Sequence, residues 1–334
     1  MRLVLGVIAY FPLFLHFDSM PLRLWDEIRL AWNAYEMMHN GEPFVTYFQG
    51  APDMWNTKPP LLIWIEALSF SVLGPSEFSF RLPSVIAAFL TCYFLFRTIS
   101  NNMAAPWMGF IAVLLLVTTD GYLTIHAARS GNYEALLVLF MTLSVWSIYR
   151  WSNSDAPKDI FLFFVFLSLA ALTKGIQALL FLPGIFLFVL FQRKLIVLLR
   201  QRQTYAGLAV FLVLVVGYYF LREHLNPGYL TAVWENELGG RYGAVLEGHQ
   251  GKWDFYVRLL MDNHFANWWL LVPCGMVLGL AHRDPTVRRW SMLLTCIAAT
   301  YLYVISSAQT KLEWYAVPLF PVLCGLAALA IYIP

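Results

Sequence analysis

Apolar blocks of roughly 15–20 residues, about what a helix needs to cross a bilayer, recur along nearly the whole chain. They lie near 1–17, 82–99, 103–119, 133–149, 160–173, 176–191, 204–221, 264–281, 288–306 and 312–332. In lipid every backbone N–H and C=O must find its partner inside the protein, so blocks of this kind form helices. The alternation over about ten residues that marks an outer-membrane barrel is absent. With 60% of its residues hydrophobic and 13% charged, the chain lies outside the range of soluble domains. The expected fold class is an all-α polytopic membrane protein, one transmembrane domain over 1–334 with about ten transmembrane helices.

Charge sets the orientation. Residues 59–73 (PPLLIWIEALSFSVL) are apolar enough to raise the question of a further span, which would invert every later loop. If they do not cross, the basic segments QRKLIVLLRQRQ and HRDPTVRRW, Arg97 and the Arg150/Lys158 loop all fall on the side of the amino terminus, the cytoplasmic side by the positive-inside rule. Residues 18–80 and 222–263 then become two large extracytoplasmic loops, both richer in acid than in base. The 59–73 block is also short for a hydrocarbon core of about 30 Å and carries Glu66, a costly residue at mid-bilayer. It is expected to lie in the interface. The stretch DEIRLAWNAYEMMHNG before it has an apolar stripe of Ile28, Ala31, Tyr35 and Met38, with Arg29, Asn33 and Glu36 off it. Asp26 is expected as its N-cap and Gly41 as its stop. The first helix, 1–17, is expected to be retained, because HFDSMPL offers no small-residue cleavage site.

The net charge of +2 and the absence of a basic stripe exclude a nucleic-acid partner. Cys92, Cys274, Cys296 and Cys324 all fall within apolar blocks, so buried thiols rather than disulfides are expected. No GxGxxG, P-loop or long cytoplasmic segment offers a nucleotide site.

An ordered set of motifs carries a resemblance. WDE, then an amphipathic helix, then NTKPPLLIW, GPSEFSFRLPS, ARSGNYEALLVLF, ALTKGIQALLFLP, ENELGGRYG, GKWDFYVRLL and TKLEWYAVPLFPVL run through the chain in the same order as in the aminoarabinose-transferase and protein O-mannosyltransferase branch of the GT-C glycosyltransferases, which the sequence resembles. The resemblance implies a GT-C helical bundle with two juxtamembrane helices in its first external loop. It also implies an inverting transferase of a hexosyl or pentosyl group from a polyprenyl-phosphate donor, acting at the extracytoplasmic face of a bacterial inner membrane. The acceptor would be a lipid, an envelope polysaccharide or a protein. Family members commonly continue into further spans and a soluble domain, whereas this sequence stops at LAALAIYIP.

A departing polyprenyl phosphate gains negative charge as the glycosidic bond breaks, so cations aimed at it stabilise the transition state more than the ground state. The resemblance assigns donor-phosphate binding to Lys58, Arg241 and Tyr315. Their ordinary alternatives are snorkelling to headgroups for Lys58, an ion pair with Glu235 or Glu237 for Arg241, and an interfacial aromatic for Tyr315. The family's first-loop acid matches Asp26, with Glu27 beside it; either could take the proton of a hydroxyl acceptor, while an ionised phosphate acceptor would need no base. Arg129 and Glu134, at the external end of a span, match the family's arginine-and-acid pair or form a structural ion pair. Lys174, in the TKG turn, is a further candidate for contact with donor or acceptor. A divalent cation held by Asp26 or Glu27 with a histidine is chemically open, but no paired-ligand spacing supports it and no metal ligand or cofactor is assigned. The alternative function is a secondary transporter or polyprenyl-lipid flippase, which would show internal repeats and mid-bilayer ionisable residues.

Overall fold

The computed structural model describes residues 2–124, 126–245 and 248–333, with the backbone alone for Arg2, Leu238 and Arg241. Helix α1 (Arg2–Phe14) leads into a loop and then α2 (Asp26–Asn40), a tight hairpin of β1 (Tyr47–Phe48) and β2 (Ala51–Pro52), and α3 (Leu61–Leu73). The long α4 (Glu77–Asn102) returns beside α1, followed by α5 (Pro106–Val117), the single turn α6 (Asp120–Leu123), α7 (Tyr133–Ser154) and α8 (Pro157–Lys174). At Gly175, whose φ of 61° suits a residue without a Cβ, the chain turns through a 3-10 stretch (Gly175–Phe181) into α9 (Leu182–Phe191). Then come α10 (Leu195–Arg200), α11 (Arg202–Phe211) and α12 (Gly217–Leu225), the last two joined by one π-helical turn. Short helices α13 (Tyr229–Val233), α14 (Gly239–Gly243) and α15 (Phe255–Leu259) precede α16 (Leu271–Ala281), α17 (Pro285–Ser307) and α18 (Phe320–Tyr332).

Among the described residues, six continuous helical segments are long and apolar enough to cross a bilayer: Glu77–Asn102, Tyr133–Ser154, Pro157–Phe191, Arg202–Leu225, Pro285–Ser307 and Glu313–Tyr332. Helix length therefore does not establish ten crossings. The blocks at 103–119 and 264–281 form only the shorter helices Pro106–Val117 and Leu271–Ala281, because turns and polar residues interrupt them. The 35-residue segment Pro157–Phe191 doubles back, since Lys194, just past its end, donates at 2.7 Å both to the Ser152 carbonyl and to Asp155, just before its start.

These contacts define one end of the bundle. Arg289 donates to Asn153 at 2.9 Å, the Tyr149 hydroxyl to the Thr286 carbonyl at 2.9 Å, and the Trp151 indole to Gln201 at 2.8 Å. The basic loops thus gather together, as their charge bias implied. Both ends of α3 belong to the other end: Lys58, just before it, meets Glu237, and Ser69 on it donates to the Ser79 carbonyl at the start of α4. Thirteen residues reach only roughly 20 Å at about 1.5 Å each, so α3 lies across this end.

Two packing details position the site. A smaller core joins α2, α3, α4 and α7 through Leu30, Ala34, Leu62, Ile63, Phe80 and Leu136. On α16, Gly275 and Gly279 form a small-xxx-small face: a Cβ at Gly275 would overlap the Leu326 carbonyl of α18, and one at Gly279 would meet Ser291 of α17. Such close backbone approach is how helices gain contact where lipid removes the hydrophobic drive.

The buried face of α2 is Glu27, Leu30, Ala31, Asn33, Ala34 and Met37, rotated from the expected stripe. Tyr35 is exposed and Asn33 buried, because Asn33 donates to the Tyr47 carbonyl and to Asp53 while accepting from Asn56. Gly41 stops the helix in the left-handed region, as expected, but the N-cap is Trp25, and Asp26 is already helical. Three of the four cysteines are buried and all are free; Cys274 is exposed on the surface of α16, against the expectation of burial.

Candidate active site

Around the end of the bundle opposite the basic loops lies a cavity of ≈ 1200 Å³, lined by residues from segments far apart in the chain. The scaffold under it is a polar hub. Asp53, fully buried as a side chain, receives Arg29 at 2.9 and 2.5 Å, Asn33 at 3.0 Å, and the backbone N–H groups of Trp55 and Asn56. Burial raises its pKa, yet the hydrogen bonds from Arg29, Asn33 and Asn56 outweigh burial and leave it below the usual aspartate value. Tyr133 at the start of α7 donates to Asn56 at 2.9 Å, and Tyr229 donates to the Thr57 carbonyl at 2.8 Å. The loop before α3 is therefore held from three sides, and Lys58 at its end has a fixed root.

Two lysines line the cavity, each met by a carboxylate. Lys58 Nζ donates to Glu237 Oε1 at 2.8 Å, and the Thr57 hydroxyl donates to the same oxygen at 3.0 Å. Lys174, at the last residue of α8, pairs with Glu134 in the first turn of α7, with side chains only 5% and 2% exposed. The amino end of α7 favours a carboxylate there. Tyr315 faces the same space: Lys174 Nζ lies 5.9 Å from its ring centroid, and the Tyr301 hydroxyl fixes its backbone by donating to the Tyr315 carbonyl at 2.8 Å. The side chain of Arg241 lies outside the described residues; the turn that carries it, α14, borders the cavity through Gly239, Tyr242 and Gly243. One flank is apolar, formed by Ile176, Leu180, Val304 and Ile305.

Asp26 and Glu27 are neighbours in sequence and strangers in space. Asp26 lines the cavity with its side chain 45% exposed, and its Oδ2 lies 3.4 Å from His126 Nε2. Glu27 points the other way and is fully buried. It accepts from Arg81 Nε at 2.8 Å and Nη2 at 2.6 Å, and from the backbone of Arg23 at 3.0 Å and Gly131 at 2.9 Å. Arg81 also donates to the Phe17, Met20 and Pro21 carbonyls, so this pair ties together the end of α1, α2, α4 and the approach to α7. Arg129 does not pair with Glu134; it donates to the Leu15 carbonyl at 2.8 Å, at the end of α1.

The sequence signalled Lys58, Lys174, Tyr315, Asp26 and Glu134, and the fold brings all five to one cavity. It gave no cue for His126, Trp314 or the link between Glu237 and Lys58, because nothing local distinguishes these residues from ordinary loop side chains. Among the described residues, no group of three or more His, Cys, Asp or Glu comes together to hold a metal ion.

Comparison with known proteins gives this geometry its context. Residues 57–219 match the family model described as Dolichyl-phosphate-mannose-protein mannosyltransferase. The undecaprenyl phosphate-alpha-4-amino-4-deoxy-L-arabinose arabinosyl transferase of Shewanella sediminis is 24% identical over 323 residues, covering 93% of this chain and 57% of that protein. ArnT from Cupriavidus metallidurans, solved with undecaprenyl phosphate bound, superposes with a TM-score of 0.84 at 20% identity over 99% of this chain and 60% of its own. The Archaeoglobus fulgidus oligosaccharyltransferase superposes with a TM-score of 0.66 at 14% identity over 97% of this chain and 48% of its own. The chain spans less than two thirds of each of these relatives' own length. The match over 57–219, these sequence relatives and the superpositions agree: this multi-pass membrane protein has the helical-bundle fold of ArnT and is similar in sequence to the Shewanella sediminis arabinosyl transferase and, over 57–219, to the mannosyltransferase family model.

Proposed function

We propose that the chain acts as an inverting glycosyltransferase that takes a sugar from a polyprenyl-phosphate donor at the extracytoplasmic face of a bacterial inner membrane. The observation that carries this is the meeting of Lys58, Lys174 and Tyr315, from three distant segments, in one cavity with an apolar flank. The lysines and Tyr315, with Arg241, would receive the phosphate, and the flank of Ile176, Leu180, Val304 and Ile305 suits a prenyl chain.

As the bond from the anomeric carbon to the phosphate oxygen breaks, its electron pair leaves with the phosphate, whose charge grows. A cation about 4 Å from one additional unit of charge contributes about 4 kcal/mol at an effective dielectric near 20, close to a thousandfold in rate. Glu237 and Glu134 hold the two ammoniums in place; an entering phosphate competes with Glu237 for Lys58. Asp26, the accessible first-loop carboxylate, is the candidate base, and Glu27 is proposed to support its helix from behind. Arg129 supports the site by anchoring α1. The paired charges sit at one end of the bundle rather than at its middle, which favours a transferase over a transporter.

The test is release of undecaprenyl phosphate by the purified protein in lipid nanodiscs from undecaprenyl phospho-mannose and undecaprenyl phospho-aminoarabinose. Lys58→Ala should lower turnover at least about a hundredfold and weaken binding of undecaprenyl phosphate. Wild-type silence with both donors, together with substrate-dependent flux across vesicles, would replace this reading with transport.

A further inference from the structure

His126 lines the cavity and is placed against the candidate base. Its Nε2 lies 3.4 Å from Asp26 Oδ2, and its side chain is only 13% exposed. Its ring stacks on Trp314, with centroids 4.2 Å apart and planes 25° from parallel. The backbone at His126 is left-handed, with φ 55°, and so is Trp25 next to Asp26, with φ 69°. Side-chain-bearing residues seldom adopt this region, and such strain clusters at functional sites. Thus Asp26 is flanked on both sides by strained backbone, and the imidazole is clamped between a carboxylate and an indole.

We propose that His126 is a positioning residue for acceptor activation, fixing the Asp26 carboxylate so that its second oxygen takes the proton of an acceptor hydroxyl. This rests on the glycosyl-transfer reading. In the proposed arrangement Nε2 carries the ring proton and faces Oδ2, so that Oδ1 is the oxygen that takes the acceptor proton. In the transfer step the acceptor oxygen supplies the electron pair of the new bond to the anomeric carbon, its proton passes to Oδ1, and the pair of the broken bond leaves on the phosphate. The proton then passes from Asp26 to water, restoring the carboxylate. The proposal takes the reacting acceptor atom to be a hydroxyl oxygen, because an acceptor phosphate, already ionised, would need no base. Trp314 sets the ring plane, which explains why the imidazole is stacked rather than free to rotate.

The experiment compares His126→Phe and His126→Ala, which remove the N–H donor with and without the ring, with His126→Gln, which restores an N–H at similar reach. The full chain is expressed in membranes of a deletion strain of the native host, which supply the acceptors, with undecaprenyl phospho-mannose and undecaprenyl phospho-aminoarabinose as donor probes. The expected result is a kcat lower by about 10–100-fold in both the Phe and Ala variants. Donor KM and the Kd for undecaprenyl phosphate should stay within about twofold of wild type, and His126→Gln should recover most of the loss. Wild-type kcat in His126→Phe overturns the proposal, as does a Gln variant as slow as Phe, or a Kd that moves in step with kcat. Silence of the wild type with both donors would instead overturn the transferase reading, and this inference with it.

Discussion

Replacing Glu27 by glutamine changes one oxygen to an amide nitrogen at a position fully sealed from solvent. In the native protein both oxygens are occupied as acceptors, two bonds from Arg81 and one each from the Arg23 and Gly131 backbone. An amide nitrogen cannot accept, so at least one donor loses its partner and two donors face each other. Arg81, 3% exposed, keeps its charge without its paired carboxylate, and Glu77 and Asp18 act on it only through longer-range attraction. Its three carbonyl contacts soften but do not replace that loss. Removing one partner of a buried pair costs about 3–5 kcal/mol, which for a chain of this size corresponds to a fall in Tm of roughly 4–7 °C. Thermal unfolding in detergent, followed by tryptophan fluorescence, measures it, with Asp26→Asn as the comparison: that variant should keep its Tm and lose turnover. Glu27→Met with Arg81→Met should recover much of the stability, since apolar pairs replace buried ion pairs at little cost. A Glu27→Gln protein with wild-type Tm and lost turnover would refute the reasoning and place Glu27 in the chemistry. The pH dependence carries the same sign. Burial raises the Glu27 pKa, but the hydrogen bonds from Arg81, Arg23 and Gly131 win and the net shift is downward. Its contribution is present above an unfolded value of about 4.3 and is lost as pH falls through the lower folded value, so acid destabilisation should be shallower in Glu27→Gln.

Glu66 behaves oppositely: it is fully buried with both oxygens unpartnered, and burial first, then the Glu27 charge, pushes its pKa well up. Its effect on stability turns unfavourable as pH rises above about 4.3, so Glu66→Met should raise Tm by more at pH 8 than at pH 5; an equal or larger gain at pH 5 would contradict this. Gly275→Leu places a side chain into the Leu326 carbonyl and should cost about 1–3 kcal/mol or more by overpacking, seen as a lower Tm; an unchanged Tm would mean that α16 and α18 do not depend on this contact. Cysteines introduced at exposed Gln49 and Arg200 should label with impermeant maleimide from opposite sides of the membrane, and labelling of both from one side would overturn the assigned ends.

What the sequence determined by itself is whatever depends on neighbours along the chain. Hydropathy over a helix-length window is local, so the helical class, the short helix within 59–73 and the gathering of QRKLIVLLRQRQ with HRDPTVRRW could be read directly. The same is true of the stop at Gly41, where a left-handed residue needs only a missing Cβ. The resemblance added which residues to watch, and Asp26, Lys58, Lys174 and Tyr315 did meet in one cavity. Pairing was a different matter. Glu27 went to Arg81, Glu134 to Lys174 and Lys58 to Glu237, none of which adjacency suggests, and Asp26 and Glu27 parted because successive residues of a helix point about 100° apart. The apolar stripe of α2 was misplaced for the same reason, since Asn33 is buried only because Asp53, Tyr47 and Asn56 come to it. A charged side chain chooses the partner that the packed fold brings within a few ångströms, and that distance exists only once the helices have met.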